Sequence, residues 1–111
     1  MRPSKRAEPI DHNRIRKITG SFSWIDHRFV TGGWIDLLDM NEILFYLWLV
    51  TVGDRNGVSF YSDEKTAART KMSVDSICKA RAGLIQKGLI VFKNGITQVL
   101  ALPLPQGELY V

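Results

Sequence analysis

Apolar residues recur with helical spacing in several stretches of the chain, and each stretch follows a residue type that caps helices. Asp39 and Glu42 have the spacing of a capping box, which predicts a helix over about residues 40–53. The continuous apolar run inside this helix predicts that it is buried on most sides. Ser62 predicts the start of a second, shorter helix over about residues 63–69.

A third helix is predicted over about residues 74–87, because Ser73 is a good cap and Gly88 suits the left-handed residue that ends many helices. At 100° per residue, one stripe of this helix is apolar and is predicted to face the core. This inner stripe consists of Ile77, Ala80 and Leu84. The opposite, exposed stripe consists of Asp75, Lys79, Ala82, Gly83 and Gln86, with Ser76 at its border.

Two β-strands are predicted to follow the third helix. An apolar run begins at Leu89, Asn94-Gly95 is the pair that two-residue type I′ turns prefer, and residues 96–102 return as the second strand. Together they predict a β-hairpin over about residues 89–102, and a short β-prone piece at residues 58–61 precedes the second helix. The order of the elements predicts a mainly α fold of the α+β class with a terminal hairpin.

The chain before the first long helix divides into two parts. Residues 1–19 are basic, contain two prolines and show no apolar periodicity, which predicts a flexible arm. Residues 20–102 are predicted to form one domain and residues 103–111 a short tail.

The aromatic-rich stretch after the arm is predicted to add mass to the core. Its apolar residues are Phe22, Trp24, Ile25, Phe29, Val30, Trp34, Ile35 and Leu37. For Phe22 and Trp24 the alternative is a contact that joins two copies of the chain into a homodimer.

Charge is distributed unevenly along the chain. Residues 1–17 carry six basic and two acidic side chains, and this surplus equals the net charge of the whole chain, +4. Residues 24–64 hold seven acidic and two basic side chains, whereas residues 65–93 hold seven basic side chains and Asp75. The contrast predicts a dipolar domain with one face suited to phosphate, and chance drift of charge is the alternative.

Several classes of protein are not supported by the residues. The single cysteine, Cys78, excludes an internal disulfide and is expected as a buried, inert thiol in a reducing, cytoplasmic compartment. The apolar run at residues 43–52 is too short to cross a membrane. No phosphate-binding loop, nucleophile–histidine arrangement or cluster of metal ligands is visible. We therefore expect no enzyme activity, no cofactor, no metal and no small-molecule ligand.

Two segments carry a family resemblance, SVDSICKARAGLIQKGLI from Ser73 to Ile90 and GVSFYSDEKTAARTKMS before it. With them, residues 38–102 resemble the small winged helix-turn-helix domains of bacterial, phage and plasmid regulators and replication-initiation proteins. The resemblance implies a protein that binds double-stranded DNA in transcription or replication. It also implies that helix 74–87 enters the major groove while the hairpin contacts the flanking backbone.

The resemblance and the exposed stripe together predict a set of DNA contacts. Phosphate contacts are expected in the turn before the third helix and at the hairpin tip, and base contacts on the third helix. The predicted residues are Arg69, Thr70, Lys71, Ser73, Asp75, Ser76, Lys79, Gly83, Gln86 and Lys93. Small Ala82 and Gly83 would permit close approach to DNA, and the basic arm would add phosphate contacts or serve solubility alone.

Arg81 lies at the inner edge of the third helix, where its stem is expected to pack while its charged head reaches solvent. The alternative function is a winged-helix module that binds a protein partner, or a second copy, without DNA. The two functions differ in their response to salt, because contacts to phosphate weaken steeply as salt rises.

Overall fold

The computed structural model describes residues 8–103, and within them the fold is mixed α/β. Four α-helices pack with a small three-stranded antiparallel sheet, in agreement with the predicted α+β class. The helices are α1 (Arg28–Thr31), α2 (Met40–Val52), α3 (Asp63–Thr70) and α4 (Val74–Gln86). The strands are β1 (Val58–Ser59), β2 (Ile90–Lys93) and β3 (Ile96–Val99), and short 3₁₀ helices cover His12–Arg14 and Ile35–Leu37.

The predicted capping box at the start of α2 is confirmed. The Asp39 side chain accepts from the backbone N–H of Glu42 at 2.8 Å, and Glu42 Oε1 accepts from the backbone N–H of Asp39 at 3.0 Å. These reciprocal bonds satisfy two donors that a helix end otherwise leaves unpaired. The sequence therefore places the start of α2 correctly.

The predicted burial of α2 on most sides is wrong. One side is buried, through Glu42, Phe45, Tyr46 and Leu49. The opposite side carries Met40, Leu44 and Leu47, which are 85%, 38% and 47% exposed. Among the described residues, α4, α3 and the sheet contact α2, and they do not cover this outer side. An apolar helix surface is thus left in contact with water.

Strand β3 lies at the centre of the sheet and pairs with β1 on one side and β2 on the other. Gln98 is the register partner of both Val58 and Val91. The predicted type I′ turn is supported by Asn94 and Gly95, whose φ angles of 51° and 79° are both left-handed. The hairpin tip therefore forms where the Asn-Gly pair predicts it.

The second strand of the hairpin is shorter than the predicted 96–102. Strand β3 ends at Val99, and after it the backbone N–H of Leu100 donates to the carbonyl of Leu89 at 2.9 Å. Gly88, with φ +76°, turns the chain just before that residue, so the hairpin offers no further partner. Leu102 then turns into the core.

Residues of α2, α4 and the sheet build a single core. Its fully buried side chains are Phe45, Ile77, Leu84, Leu89 and Ile90. The predicted inner stripe of α4 is confirmed, because Ile77, Ala80 and Leu84 are at most 2% exposed. Gly88 is left-handed as predicted, and α4 ends at Gln86, one residue before its predicted end.

The aromatic-rich stretch contributes less to the core than predicted. Phe29 is buried and stacks on Tyr46 with ring centres 4.8 Å apart. Trp34 and Ile35 are half-buried against the core, as is Trp48 of α2. The other apolar residues of the stretch are exposed, and they are Phe22, Trp24, Ile25, Val30 and Leu37. Of the residues predicted to join the core from this stretch, Phe29, Trp34 and Ile35 pack against it.

The segment before α1 lies along the domain surface. Residues 21–26 form one wall of an open groove of about 940 Å³, whose other walls come from α2, the turn at residues 53–57 and residues 99–102. Trp24 in this segment is 84% exposed. Residues 8–19, the described part of the predicted arm, are exposed throughout, and residues 1–7 and the tail residues 104–111 lie outside the described part.

The side chain of Asp54 organises the turn between α2 and β1. Its Oδ1 accepts from the backbone N–H groups of Val58, at 3.0 Å, and Asn56, at 2.8 Å. These two bonds hold the pKa of the carboxyl below its ordinary value of 3.8. A carboxyl whose pKa is lower in the folded state than in the unfolded state stabilises the fold at pH values above its unfolded-state pKa. This stabilisation is lost as the pH falls through the folded-state pKa.

We expect Asp54→Asn to reduce the loss of stability on acidification below about pH 4. The amide oxygen still accepts the two hydrogen bonds of the turn, but it does not titrate. Urea unfolding at about pH 7 and about pH 3 measures the difference. Asp36→Asn, in an exposed position of the second 3₁₀ helix, is the control for removal of a charge. An identical acid response in Asp54→Asn and the unmodified protein would contradict this prediction.

Candidate nucleic-acid interface

Helix α3 begins where the sequence predicts it. Ser62 Oγ accepts from the backbone N–H of Lys65 at 3.1 Å, and acidic residues occupy the first turn, where the helix dipole favours them. The helix ends at Thr70, one residue beyond the predicted end, and Lys71 follows with a left-handed φ of 68°. This backbone conformation reverses the chain direction within a few residues.

The turn between α3 and α4 consists of residues 71–73 and is held from inside. Thr70 Oγ1 donates to the carbonyl of Thr66 at 2.8 Å and accepts from the backbone N–H of Met72 at 3.2 Å. Met72 is buried and anchors the turn to the core. The Thr70 hydroxyl is therefore already engaged within the turn, while Lys71 is exposed.

Ser73 caps α4 as predicted. Its Oγ accepts from the backbone N–H of Ser76 at 3.0 Å and lies 2.9 Å from Ser76 Oγ. Both predicted contact residues are therefore joined in one hydrogen-bonded pair at the start of the helix. Ser73 is exposed and Ser76 is half-buried.

Four residues of the predicted exposed stripe share the outer face of α4. These are Asp75, Lys79, Ala82 and Gln86, and all four are exposed. Lys79 Nζ lies 3.4 Å from Asp75 Oδ2, an ion pair one helical turn apart in open solvent. We call these four residues the α4 outer face. This face is polar and has little net charge, and the small side chain of Ala82 leaves the helix backbone accessible there.

The prediction that Gly83 belongs to this exposed stripe is wrong. Gly83 is half-buried and faces α2, where a Cβ in its place would overlap the Glu42 carboxylate. The absent side chain thus serves the contact between α4 and α2. Its position, 100° away from Ala82 around the helix, turns it from solvent toward the neighbouring helix.

The prediction that the head of Arg81 reaches solvent is also wrong. The side chain is 13% exposed, and its guanidinium pairs with Asp63 in the first turn of α3. The guanidinium carbon lies 4.3 Å from the ring centre of Phe92 and 5.6 Å from that of Phe45. Arg81 therefore ties α4 to α3 and to the hairpin, and is not part of the exposed surface.

Lys87 is engaged as well. Its Nζ lies 3.1 Å from Glu42 Oε2 and 3.3 Å from Oε1, across the contact between the end of α4 and the start of α2. Two of the seven basic side chains counted in residues 65–93 therefore neutralise acidic residues of the preceding block. The dipole predicted from the charge blocks is correspondingly smaller in the folded domain.

Cys78 is exposed, contrary to the prediction of a buried thiol. It lies 100° around α4 from Ile77, on the side that faces the start of α3. There Asp63 Oδ2 is 3.9 Å from Cys78 Sγ, and no apolar side chain of α3 closes over it. The sulfur consequently remains open to solvent at the side of the α4 outer face.

The remaining basic residues of the predicted set border the α4 outer face in sequence and are exposed. Arg69 and Lys71 lie at the end of α3 and in the turn before α4. Lys93 lies at the end of β2, beside the hairpin tip. With Lys79, the described part of the predicted interface presents four exposed cationic side chains and one exposed carboxylate, that of Asp75.

In residues 8–103, no group of three or more histidine, cysteine or acidic side chains is arranged to hold a metal ion. Within the same range, none of the helices has the length and apolar character needed to cross a membrane. Comparison of the chain with protein-family models, with curated proteins and with solved structures found no match.

Proposed function

We propose that the chain is a double-stranded DNA-binding protein, a transcriptional regulator or replication accessory whose residues 20–102 form a winged helix-turn-helix domain. The connections between the elements support this proposal. Three residues join α3 to α4, and the hairpin follows α4 after three more. Strand β1 pairs with β3, which gives the order β1-β3-β2. A helix-turn-helix followed directly by a hairpin matches the expected wing arrangement.

The α4 outer face is the observation that carries the proposal. Lys79 and Gln86 offer donors to base edges or phosphates, and Asp75 offers an acceptor for a cytosine amino group. Ala82 leaves room for a close approach of the helix backbone. Arg69, Lys71 and Lys93 would supply phosphate contacts before and after the helix. Arg81 and Lys87 are left out of the proposed interface, because their charges are already paired with Asp63 and Glu42 within the fold.

We expect Ala82→Glu to lower the affinity for mixed-sequence duplex DNA by at least about tenfold at low salt. Ala82 is exposed and Glu is a good helix former, so the fold is expected to persist. The new carboxylate would face phosphate in the middle of the interface. Fluorescence anisotropy with a labelled duplex, measured over a salt series, gives the affinity and its salt dependence.

Ala101→Glu is the matched control, because it adds the same charge at an exposed position beside the groove formed by residues 21–26. We expect this variant to bind DNA as the unmodified protein does. Four cationic contacts predict that the logarithm of the affinity falls with that of the salt concentration with a slope of about −3 to −4. Equal losses in both variants would contradict a role for α4.

The exposed apolar side of α2 favours a second candidate function, a winged-helix module that binds protein. An interface of that kind would show little dependence on salt. Absence of DNA binding at low salt, in a folded protein, would overturn the first proposal and favour this second one. The predicted role of the arm and the predicted cytoplasmic location remain predictions.

A further inference from the structure

The outer side of α2 is apolar where a surface helix is normally polar. Met40, Leu44 and Leu47 share it with Thr51, and all four are exposed. Thr51 Oγ1 donates to the carbonyl of Leu47 at 2.7 Å, so the hydroxyl is satisfied within the helix. We call these four residues the α2 outer face. A contiguous exposed apolar surface is typical of protein interaction sites.

The spacing of these residues matches a helix–helix contact. Met40, Leu44, Leu47 and Thr51 are separated by four, three and four positions, as are the a and d positions of a coiled-coil seam. The seam is symmetric about its midpoint. When two copies of α2 run antiparallel, Leu44 of one copy meets Leu47 of the other, and Met40 meets Thr51. Such a self-complementary surface is what a twofold dimer requires.

The charges around the face also suit an antiparallel pair. Glu42 is the single charged residue of α2, and it is buried against α4, so no like charges would meet across the seam. Exposed Asp36 precedes the helix, and exposed Arg55 follows it. An antiparallel pair brings the acidic end of one copy to the basic end of the other and opposes the two helix dipoles.

We propose that the α2 outer face is the contact surface of a symmetric, antiparallel dimer of this chain. Ser23 Oγ donates to the carbonyl of Thr51 at 3.3 Å, which holds its exposed chain neighbours Phe22 and Trp24 near the end of the seam, where they would add to the apolar contact. A stable dimer buries about 800 Å² on each partner, more than one short seam supplies. This dimer is independent of DNA, and its test is made without DNA.

Leu44→Lys combined with Leu47→Lys tests the surface. We expect sedimentation velocity of the full chain to show a concentration-dependent dimer for the unmodified protein. The double variant is expected to raise the dissociation constant by about 30-fold or more, because two charges would be buried at the centre of the seam. Circular dichroism and urea unfolding check that the variant remains folded.

The matched control is Val91→Lys combined with Ile96→Lys, two aliphatic residues of the hairpin that are each 47% exposed, as Leu47 is. The control is expected to leave the dimer unchanged. A protein that stays monomeric up to high micromolar concentration would overturn the proposal and leave a different protein as the occupant of the face. A dimer that resists the α2 variant would overturn it as well.

A charge exchange tests the antiparallel orientation. Asp36→Arg and Arg55→Asp are each expected to weaken the dimer, and the two together are expected to restore it. Weakening without recovery in the combined variant would overturn the antiparallel arrangement and with it the proposal. Recovery would support it, because parallel helices bring Asp36 to Asp36 and Arg55 to Arg55.

Discussion

Asp63→Ala is expected to lower the free energy of unfolding by about 2 kcal/mol. The substitution leaves the Arg81 guanidinium, in a side chain that is 13% exposed, without its acidic partner. Breaking a fully buried ion pair by removing one partner costs about 3–5 kcal/mol, and we expect less here because Asp63 itself is 29% exposed. Urea unfolding followed by circular dichroism measures the loss.

Glu64→Ala provides the control, because Glu64 lies in the same first turn of α3 as Asp63 and its carboxylate also interacts favourably with the helix dipole. We expect it to cost no more than about 0.5 kcal/mol. Arg81→Met, alone and in the Asp63→Ala background, completes a double-mutant cycle. In that background it is expected to recover part of the loss, because it removes the unpaired charge. Equal losses for Asp63→Ala and Glu64→Ala would show that the contact between α3 and α4 does not depend on this ion pair.

Glu42→Ala is expected to destabilise the protein by about 2–3 kcal/mol. Its carboxylate accepts from the backbone N–H of Asp39 and pairs with Lys87, while its side chain is 9% exposed. The substitution removes half of the capping box and leaves the Lys87 ammonium without an acceptor at the contact between α2 and α4. Glu42→Gln keeps an acceptor for the cap and is expected to lose less.

Gly83→Ala tests the same contact from the other helix. At an unconstrained helix position this substitution stabilises by about 1 kcal/mol. Here we expect a net loss of about 1 kcal/mol, because the added methyl group displaces the Glu42 carboxylate from its hydrogen bonds. In the Glu42→Ala background the obstacle is gone, and the same substitution is expected to stabilise. Stabilisation in the unmodified protein would contradict this account.

Local signals in the sequence were sufficient for helices α2, α3 and α4 and for the hairpin, but not for the short helix α1, whose N-cap residue His27 forms no side-chain cap. Asp39, Ser62 and Ser73 each form the predicted cap, and Asn94-Gly95 forms the predicted turn. These features depend on hydrogen bonds between residues close in the chain, so local residue types are enough to predict them. The inner stripe of α4 was equally accessible, because its outer face is polar and the contrast shows which side is buried.

The outer side of α2 could not be predicted in this way. A helix that is apolar around its whole circumference offers no contrast between a solvent side and a core side. Leu44 and Leu47 are as apolar as the buried residues Phe45 and Leu49. Which of them are buried depends on which sides of α2 the neighbouring elements cover. Trp24 poses the same problem, because tryptophan is usually well buried whereas Trp24 is 84% exposed.

The side-chain contacts within the candidate interface were equally hidden. Arg81 meets Asp63, 18 positions earlier, and Lys87 meets Glu42, 45 positions earlier. No local pattern links such residues, and nothing in the sequence shows which acidic side chain a given basic side chain of this region will pair with. The fold engages two of the basic side chains internally, and that division follows from how α4 crosses α2 and α3.

The α4 outer face has a consequence for how the protein can change over generations. Its four residues lie opposite the stripe that packs into the core, and they are Asp75, Lys79, Ala82 and Gln86. Asp75 and Lys79 form an ion pair with each other. Replacement of exposed residues of this kind alters stability by no more than about 0.5 kcal/mol in most cases. Mutation can therefore explore many combinations at these four positions without unfolding the domain. The proposed recognition of DNA by α4 would therefore be able to diverge while the scaffold stays the same.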